Sequence, residues 1–594
     1  MKTPTPAIVS LHEARPLPRW VLWLLGLLYV VPGFVGRDPW RNADLADFGA
    51  MRQLAAHPEQ WLQPQLLGEA AQSAGWLPFW LGALAIHALP WLAADQAAQL
   101  PFMALLALTL ICTWYAMFHL ARLPGAQPLA FAFGGEAHPI DYARAMADAA
   151  LLALIACLGL ALLGHQSSVD AARLAFVALA LFALARSLHL GTQGAASTLG
   201  LWALAMLGLA LSGAPGIALL LLAASELVRR LAPAAAPIHA TGPEGSSPSR
   251  SRHALSPALL RWGFAALTLA AAALAYALAC AMAGPALWPN PQALLQHWQT
   301  AAAWESLLRL LLWFTWPASL LAAWALWKWH RQWRSAHILL PLLCLLGLLL
   351  ATFAHRGSDR LLLLALPALA LLAAFALPTL RRGVAGLFDW FAVLFYSGVA
   401  LLIWIMWLAM STGTPARPAA NVAKLLPNFD PTFDLVLFLP ALLLTLAWLG
   451  VIAWRGSHPR PAVWKSLVLS AGGITLCWFL ALTLWLPVLN HGMGLAPISQ
   501  RVAALTPPGG CVLVHGLAHE EIAALQFHGG LQVRHLTSPD ASACTRLIVA
   551  SADHAALAQQ LDPGPWRLLR AEPRLRPNRD VWLVFERYPA GAPR

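Results

Sequence analysis

Apolar runs of roughly 17 to 25 residues, the length a helix needs to cross a bilayer, recur between residues 18 and 487. No other feature restricts the fold as much. Backbone groups in lipid have no water to bond, so a spanning segment must satisfy them internally, as a helix or within a closed barrel. Barrel strands alternate in polarity, whereas these runs are continuously apolar. Composition agrees: 59% of the residues are hydrophobic and 11% charged, against about 25% charged in soluble domains. The expected fold class is an all-α polytopic membrane protein.

The net charge of +12 suggests nucleic acid at first sight, but the basic residues sit in short loops between apolar runs. That is the positive-inside pattern of a membrane protein, not a binding stripe, and no nucleic-acid partner is expected. Many of the 29 tryptophans lie at the ends of the runs, as in an interfacial belt. The expected location is a bacterial-type cytoplasmic membrane, with lipids as immediate partners. The first run is read as a retained helix, since no small-residue cleavage site follows it.

The basic loops at 229–262, 328–334, 380–382 and 454–465 are expected in the cytoplasm. Keeping Lys2, Arg15 and Arg19 there too requires that one of about fourteen apolar runs not cross. The run at 75–93 is short, holds Pro78 and Pro90 and carries His87, so it is expected to lie along the outer interface. About thirteen spans remain, with the N-terminus inside and the C-terminus outside. Residues 36–97 then form an external loop, 230–261 a flexible cytoplasmic linker, and 284–305 another external loop. The runs at 196–211 and 214–229 are separated by so few residues that a hairpin and one broken helix are both open.

Residues 1–487 are thus one membrane domain, and 488–594 read differently. CVLVHGL, LQVRHL, RLIVASA and DVWLVFER have strand character, separated by the helical stretches ISQRVAALTP, HEEIAALQFHGG and DHAALAQQLDP. That alternation predicts a small α/β domain. Outside the cytoplasm Cys511 and Cys544 can pair as a disulfide, the alternative being two separate buried cysteines. No nucleotide-binding glycine motif and no HExxH or CxxC metal spacing occurs in the chain.

The loop after the first run, GRDPWRNADLADFGAM, is unusually charged for its setting. Asp44 and Asp47 are three residues apart, so a short helix from about Ala43 would put both carboxylates on one face. A solvated loop is the bland explanation of such charge, but the shared face and the predicted interfacial helix that follows, which would cover the loop and form a cleft at the membrane surface, argue for a site.

WRNADLADFGAMRQL (40–54), WLQPQLLG (61–68), GWLPFWLGALAIHAL (75–89) and QLPFMALLALTLICTWYAMFHLAR (99–122) follow one another in an order that resembles the opening of a known group. It is that of the membrane glycosyltransferases typified by protein O-mannosyltransferases and lipid A aminoarabinose transferases, with a GT-C fold. LGLALSGAPGIALLL (207–221), HRGSDRLLLLALPALALLAA (355–374) and the C-terminal domain extend the likeness. The chain departs from the group's pattern at Leu45, where a glutamate is usual, and at Asp47-Phe48, where Arg-Tyr is usual. QSAGW (72–76) has no lysine where a Glu-Lys-Pro-Pro segment is expected, and Ser212-Gly213-Ala214-Pro215 replaces a Lys-Gly-Pro turn.

The resemblance implies transfer of a sugar from a polyprenyl-phosphate lipid to a lipid, glycan or protein acceptor. Such a site must activate the acceptor oxygen and neutralise charge on the departing phosphate. Asp44 is the expected general base, directly or through a divalent metal ion it would bind, and Asp170 the second carboxylate. Asp170 also suits the N-terminus of a helix capped by Ser167 or Ser168. Asp47 is expected to pair with Arg41 or Arg52 and hold the loop's shape. Arg356 and Arg360, with His355 beside them, are the expected donor-phosphate ligands, snorkelling at a helix end being the alternative. Arg417 and Lys424 form a further external basic loop that would meet an anionic headgroup, and Glu305–Arg309 reads as a structural ion pair. A non-catalytic relative and a transporter remain alternatives, though no inverted repeat is evident.

Overall fold

The computed structural model describes residues 5–40, 43–71, 73–232, 256–281, 301–355, 358–426, 429, 433–457, 462–554, 557, 566–573 and 581–587. Most of the linker 230–261 and of the loop 284–305 lies outside these residues.

The chain opens with α1 (Arg19–Val30) and α2 (Ala43–Ala56). A two-stranded hairpin, β1 (Gln65–Leu66) and β2 (Glu69–Ala70), turns at Leu67 and Gly68, both at positive φ as a two-residue hairpin turn requires. Next come α3 (Leu77–Ala88), α4 (Ala94–Ala121), α5 (Pro139–Ile155), the short α6 (Leu158–Leu163) and α7 (Val169–Leu190). α8 (Ala195–Leu211) and α9 (Pro215–Leu231) are two helices that meet at Gly213, where φ is +70°. α10 (Pro257–Ala281), α11 (Ala301–Phe314), α12 (Ala318–Lys328), α13 (Ala336–Ala354) and α14 (Asp359–Ala376) follow. α15 (Arg382–Thr412), α16 (Ala416–Leu425), α17 (Leu435–Ser457), α18 (Lys465–Ala481) and α19 (Leu486–Met493) complete the bundle.

Among the described residues seven helices are long and apolar enough to cross a membrane alone, and nine spans result if two bent pairs each count once. In one pair an apolar stretch that is continuous in sequence is bent, since Trp304–Phe314 and Ala318–Lys328 meet at 102°. α1, α3 and α8 are shorter apolar helices. The 12-residue α3 is roughly 18 Å long, too short for a hydrocarbon core of about 30 Å.

Burial separates a protein interior from a lipid-facing rim. The apolar window of α14 is 89% buried and that of α7 72%, whereas that of α17 is only 11% buried. α5 and α7 are rich in alanine, which lets neighbouring backbones approach closely where lipid supplies no hydrophobic drive. On α17, Val436, Leu439, Leu443 and Leu446 are exposed together. On a soluble surface such a face would be a liability, whereas here it suits acyl chains.

After α20 (Ala496–Ala504) comes a five-stranded mixed sheet of order β4-β3-β5-β7-β6. Its strands are β3 (Cys511–His515), β4 (Gln532–His535), β5 (Arg546–Ala550), β6 (Trp566–Pro573) and β7 (Val581–Arg587). β3 runs parallel to β4 and β5, pairing Val512 with Val533 and Leu513 with Leu547, and β7 runs antiparallel to β5 and β6. The central strands are buried on both faces, hence their unbroken apolar sequence. α21 (His519–Phe527) makes the β3-to-β4 crossover, and Cys511 is bonded to Cys544. Sequence reading missed β6, an edge strand exposed along most of its length and therefore without an alternating pattern. The third expected helical stretch, 553–563, lies largely outside the described residues.

Candidate active site

The free N–H groups at the start of a helix carry partial positive charge and must find acceptors. At α7 the cap residue Ser168 makes no side-chain cap bond. The acceptors come instead from α2. Asp47 Oδ2 accepts the Val169 N–H at 3.1 Å, and Asp44 Oδ1 accepts the Ser167 N–H at 2.8 Å. The i, i+3 spacing on α2 thus places two carboxylates on the N-terminus of a helix 122 residues further along the chain.

Asp44 is saturated. Its Oδ2 lies 2.9 Å from Arg37 Nη2 and accepts the Trp40 N–H at 3.2 Å. Arg37 is also buried, and it donates to the carbonyls of Gly33 at 2.9 Å and His165 at 2.6 Å. Asn490 of α19 holds the same loop through Gly36 O, the Asp38 N–H and Trp40 Nε1.

Asp47 is as deeply placed, at 2% exposure against 1% for Asp44, but its surroundings differ. Besides Val169 it meets the Ser73 hydroxyl, with Asp170 and Arg360 close enough to act on it electrostatically. Burial is the main force on this carboxyl and Asp170 adds to it, so that against the opposing Val169, Ser73 and Arg360 its pKa rises from 3.8 to about 7. The expected pairing of Asp47 with Arg52 is not formed. Arg52 instead lies over the Phe527 ring, 5.5 Å from its centroid.

Asp170 sits in the first turn of α7 and joins two arginines, Arg173 Nη1 at 2.9 Å and Arg360 Nη1 at 3.3 Å. Arg173 reaches on to the carbonyls of Ser212 at 2.8 Å and Ala74 at 2.9 Å. It thereby clamps together the 73–76 and 212–215 segments, which also join through the Trp76 N–H on Leu211 O at 2.7 Å. A Cβ at Gly213 would lie 2.3 Å from Ala74 O, so glycine is required for this close approach.

The structure therefore brings together Asp44, Asp47, Asp170 and Arg360. His355 is exposed at the end of α13. Arg356 and Arg41 lie outside the described residues. Arg417 and Lys424 are exposed on α16 and make no ion pair among the described residues. Glu305 and Arg309 do pair, at 2.7 Å. Sequence reasoning gave no role to Arg37, which it noted only as one of the loop's charges, and passed over Arg173 and Ser73. Only Arg173 left a local signal, its i, i+3 spacing from Asp170.

The donor set does not suit a divalent cation. Both oxygens of Asp44 already accept from Arg37 and backbone N–H groups, and both oxygens of Asp170 face guanidinium. Among the described residues, no group of three or more His, Cys, Asp or Glu side chains is placed to hold a metal ion.

The α/β domain rests on the same helix. Phe48 meets Phe527 edge-on at 4.9 Å, and a Cβ at Gly49 would lie 2.5 Å from that of Ala523. His519 and His535 of the domain reach Glu69 of the hairpin at 3.7 and 3.6 Å.

No protein-family model and no curated protein matches the chain. Two crystal structures do, both of ArnT from Cupriavidus metallidurans. The one bound to undecaprenyl phosphate gives a TM-score of 0.59 and the apo state 0.58. Each is 16% identical and covers 95% of this chain and 98% of its own. At that identity the likeness establishes a shared fold alone, a polytopic helical membrane domain followed by a C-terminal α/β domain.

Proposed function

We propose that this chain is a membrane glycosyltransferase. It moves a sugar from a polyprenyl-phosphate carrier to a lipid, glycan or protein acceptor on the outer side of the cytoplasmic membrane. The observation that carries this reading is the convergence of Asp44, Asp47 and Asp170 with Arg360 at the N-terminus of α7, beneath the α/β domain. The shared fold with a protein crystallised with undecaprenyl phosphate supports the donor class.

A donor of this kind carries its own leaving group into the site, so no nucleotide-binding loop is required. A carboxylate takes the proton of the acceptor hydroxyl while its oxygen attacks the anomeric carbon, and the bond from that carbon to the phosphate oxygen breaks. Arg360, only partly buried and held among the described residues at one nitrogen by Asp170, can turn its other donors to the developing phosphate charge. Arg356 and His355, its neighbours in sequence, are the further candidates for that phosphate.

The ion pairs that hold Asp44 and Asp170 also favour a second reading, a non-catalytic relative in which the cluster only secures α2 to α7. Transfer of radiolabelled sugar from polyprenyl phosphate to endogenous acceptors separates the two. Membranes carrying the wild type should exceed the empty-vector background, and Arg360→Gln should lose at least ~10-fold of that excess. Background-level transfer by the wild type with every donor sugar tried would favour the non-catalytic reading.

A further inference from the structure

Within the transferase reading, on which this inference rests, we infer that Asp47 is the group that takes the acceptor's proton. The Ser73 hydroxyl relays it, and Asp44 is a positioning residue.

The three carboxylates differ in what proton uptake would undo. Protonating Asp44 would strip Arg37 of its counter-charge in a buried setting. Arg37 is held in place there, because its Nε donates to Gly33 O and its Nη2 to His165 O. Protonating Asp170 would break two guanidinium contacts at once. Asp47 has no guanidinium within ion-pair distance among the described residues. Its neighbours are one backbone N–H, one hydroxyl and the like charge of Asp170, so uptake of a proton relieves repulsion and burial together.

The groups facing Asp47 come from three other elements. α7 presents Asp170, α14 presents Arg360, and the 73–76 segment presents Ser73. On α2 itself Asp44 is bound to Arg37, and Arg52 turns to Phe527. An ionisation near 7 is close to what a general base needs at neutral pH.

Access runs through Ser73, which is only half-buried. The acceptor hydroxyl gives its proton to Ser73 Oγ as Ser73 passes its own to Asp47. The acceptor oxygen forms its bond to the anomeric carbon, and the carbon–oxygen bond to phosphate breaks with both electrons leaving on the polyprenyl phosphate. Asp47 ends protonated and one proton is later released to solvent, so charge balances without a co-reactant.

The test is the pH–rate profile of the full-length chain reconstituted in vesicles with a polyprenyl-phosphate sugar, beside Asp47→Asn, Ser73→Ala and Asp44→Asn, each checked for folding by thermal unfolding. The wild-type rate should rise with pH through a midpoint near 7. Asp47→Asn should lower kcat by ~10³-fold with the donor KM unchanged, and abolish that limb. Ser73→Ala, a partly exposed change that keeps the fold, should lower kcat by ~10-fold and move the limb to higher pH, because the carboxylate loses a donor. Asp44→Asn should lose rate yet keep the limb. A wild-type limb that survives Asp47→Asn, or a Ser73→Ala profile identical to wild type, would overturn the inference and leave the transferase reading intact. No transfer by the wild type would remove both.

Discussion

Around α2, the side bearing Asp44 and Asp47 meets α7 through charged and polar bonds, whereas the side bearing Phe48 and Gly49 meets the α/β domain through a ring and a methyl group. The two contacts fail differently. A charged contact is worth having only while each partner is present, since a lone buried charge costs more than the pair contributes. An apolar contact degrades in proportion to the volume removed or added. One short helix thus joins a site that tolerates no missing partner to a domain interface that tolerates small changes of shape.

The largest effect is expected at Arg37. Arg37→Ala should destabilise the chain by about 3–5 kcal/mol, because Asp44 would stay buried and unpaired. Adding Asp44→Asn should restore most of the loss, and thermal unfolding in detergent measures both. If the single and double variants unfold alike, the buried pair is not what secures this side.

On the apolar side Phe48→Ala should cost about 3 kcal/mol by the same measurement. Gly49→Val should cost about 1–3 kcal/mol through the clash with Ala523. Limited proteolysis should release the α/β domain in these variants before it releases it in Arg37→Ala. Equal release would mean that the two contacts are not separable.

Asp47 sharpens the contrast through pH. Its native pKa of about 7 lies above the ordinary 3.8, so between those values the folded chain binds the proton more tightly than the unfolded chain. Its contribution is therefore present in full below about pH 4 and is lost as pH rises through about 7, at ~1.4 kcal/mol per unit. Asp47→Asn removes that slope and should be the more stable protein at pH 8 even as it loses activity. Parallel stability curves for the two proteins between pH 4 and 8 would refute this.

The smallest effect is expected at Glu69→Gln. Glu69 is well exposed and its distances to His519 and His535 are long, so the change should stay within about 1 kcal/mol.

Much of the membrane fold could be read from the chain because it depends on local information. A helix in lipid is specified by twenty or so consecutive apolar residues, so α4, α7, α13, α14, α15 and α17 fall on runs visible without any partner. The strands β3, β4, β5 and β7 were visible for the same reason. The start of α2 and the common face of Asp44 and Asp47 followed from helical spacing alone. The bend between α11 and α12 was not visible, because apolarity continues across it. Nor did the sequence order reveal Arg37 and Arg173, whose partners include backbone atoms more than thirty residues away.

Sequence alone, then, determined that this chain lives in a membrane as helices, ends in an α/β domain, and sets charge just after its first apolar run. Tertiary structure alone decided what the charges do. Which carboxylate is locked and which is left to titrate depends on the arginines and N–H groups that packing brings within about 3 Å, and interactions of that range are set by the fold rather than by neighbours in the chain.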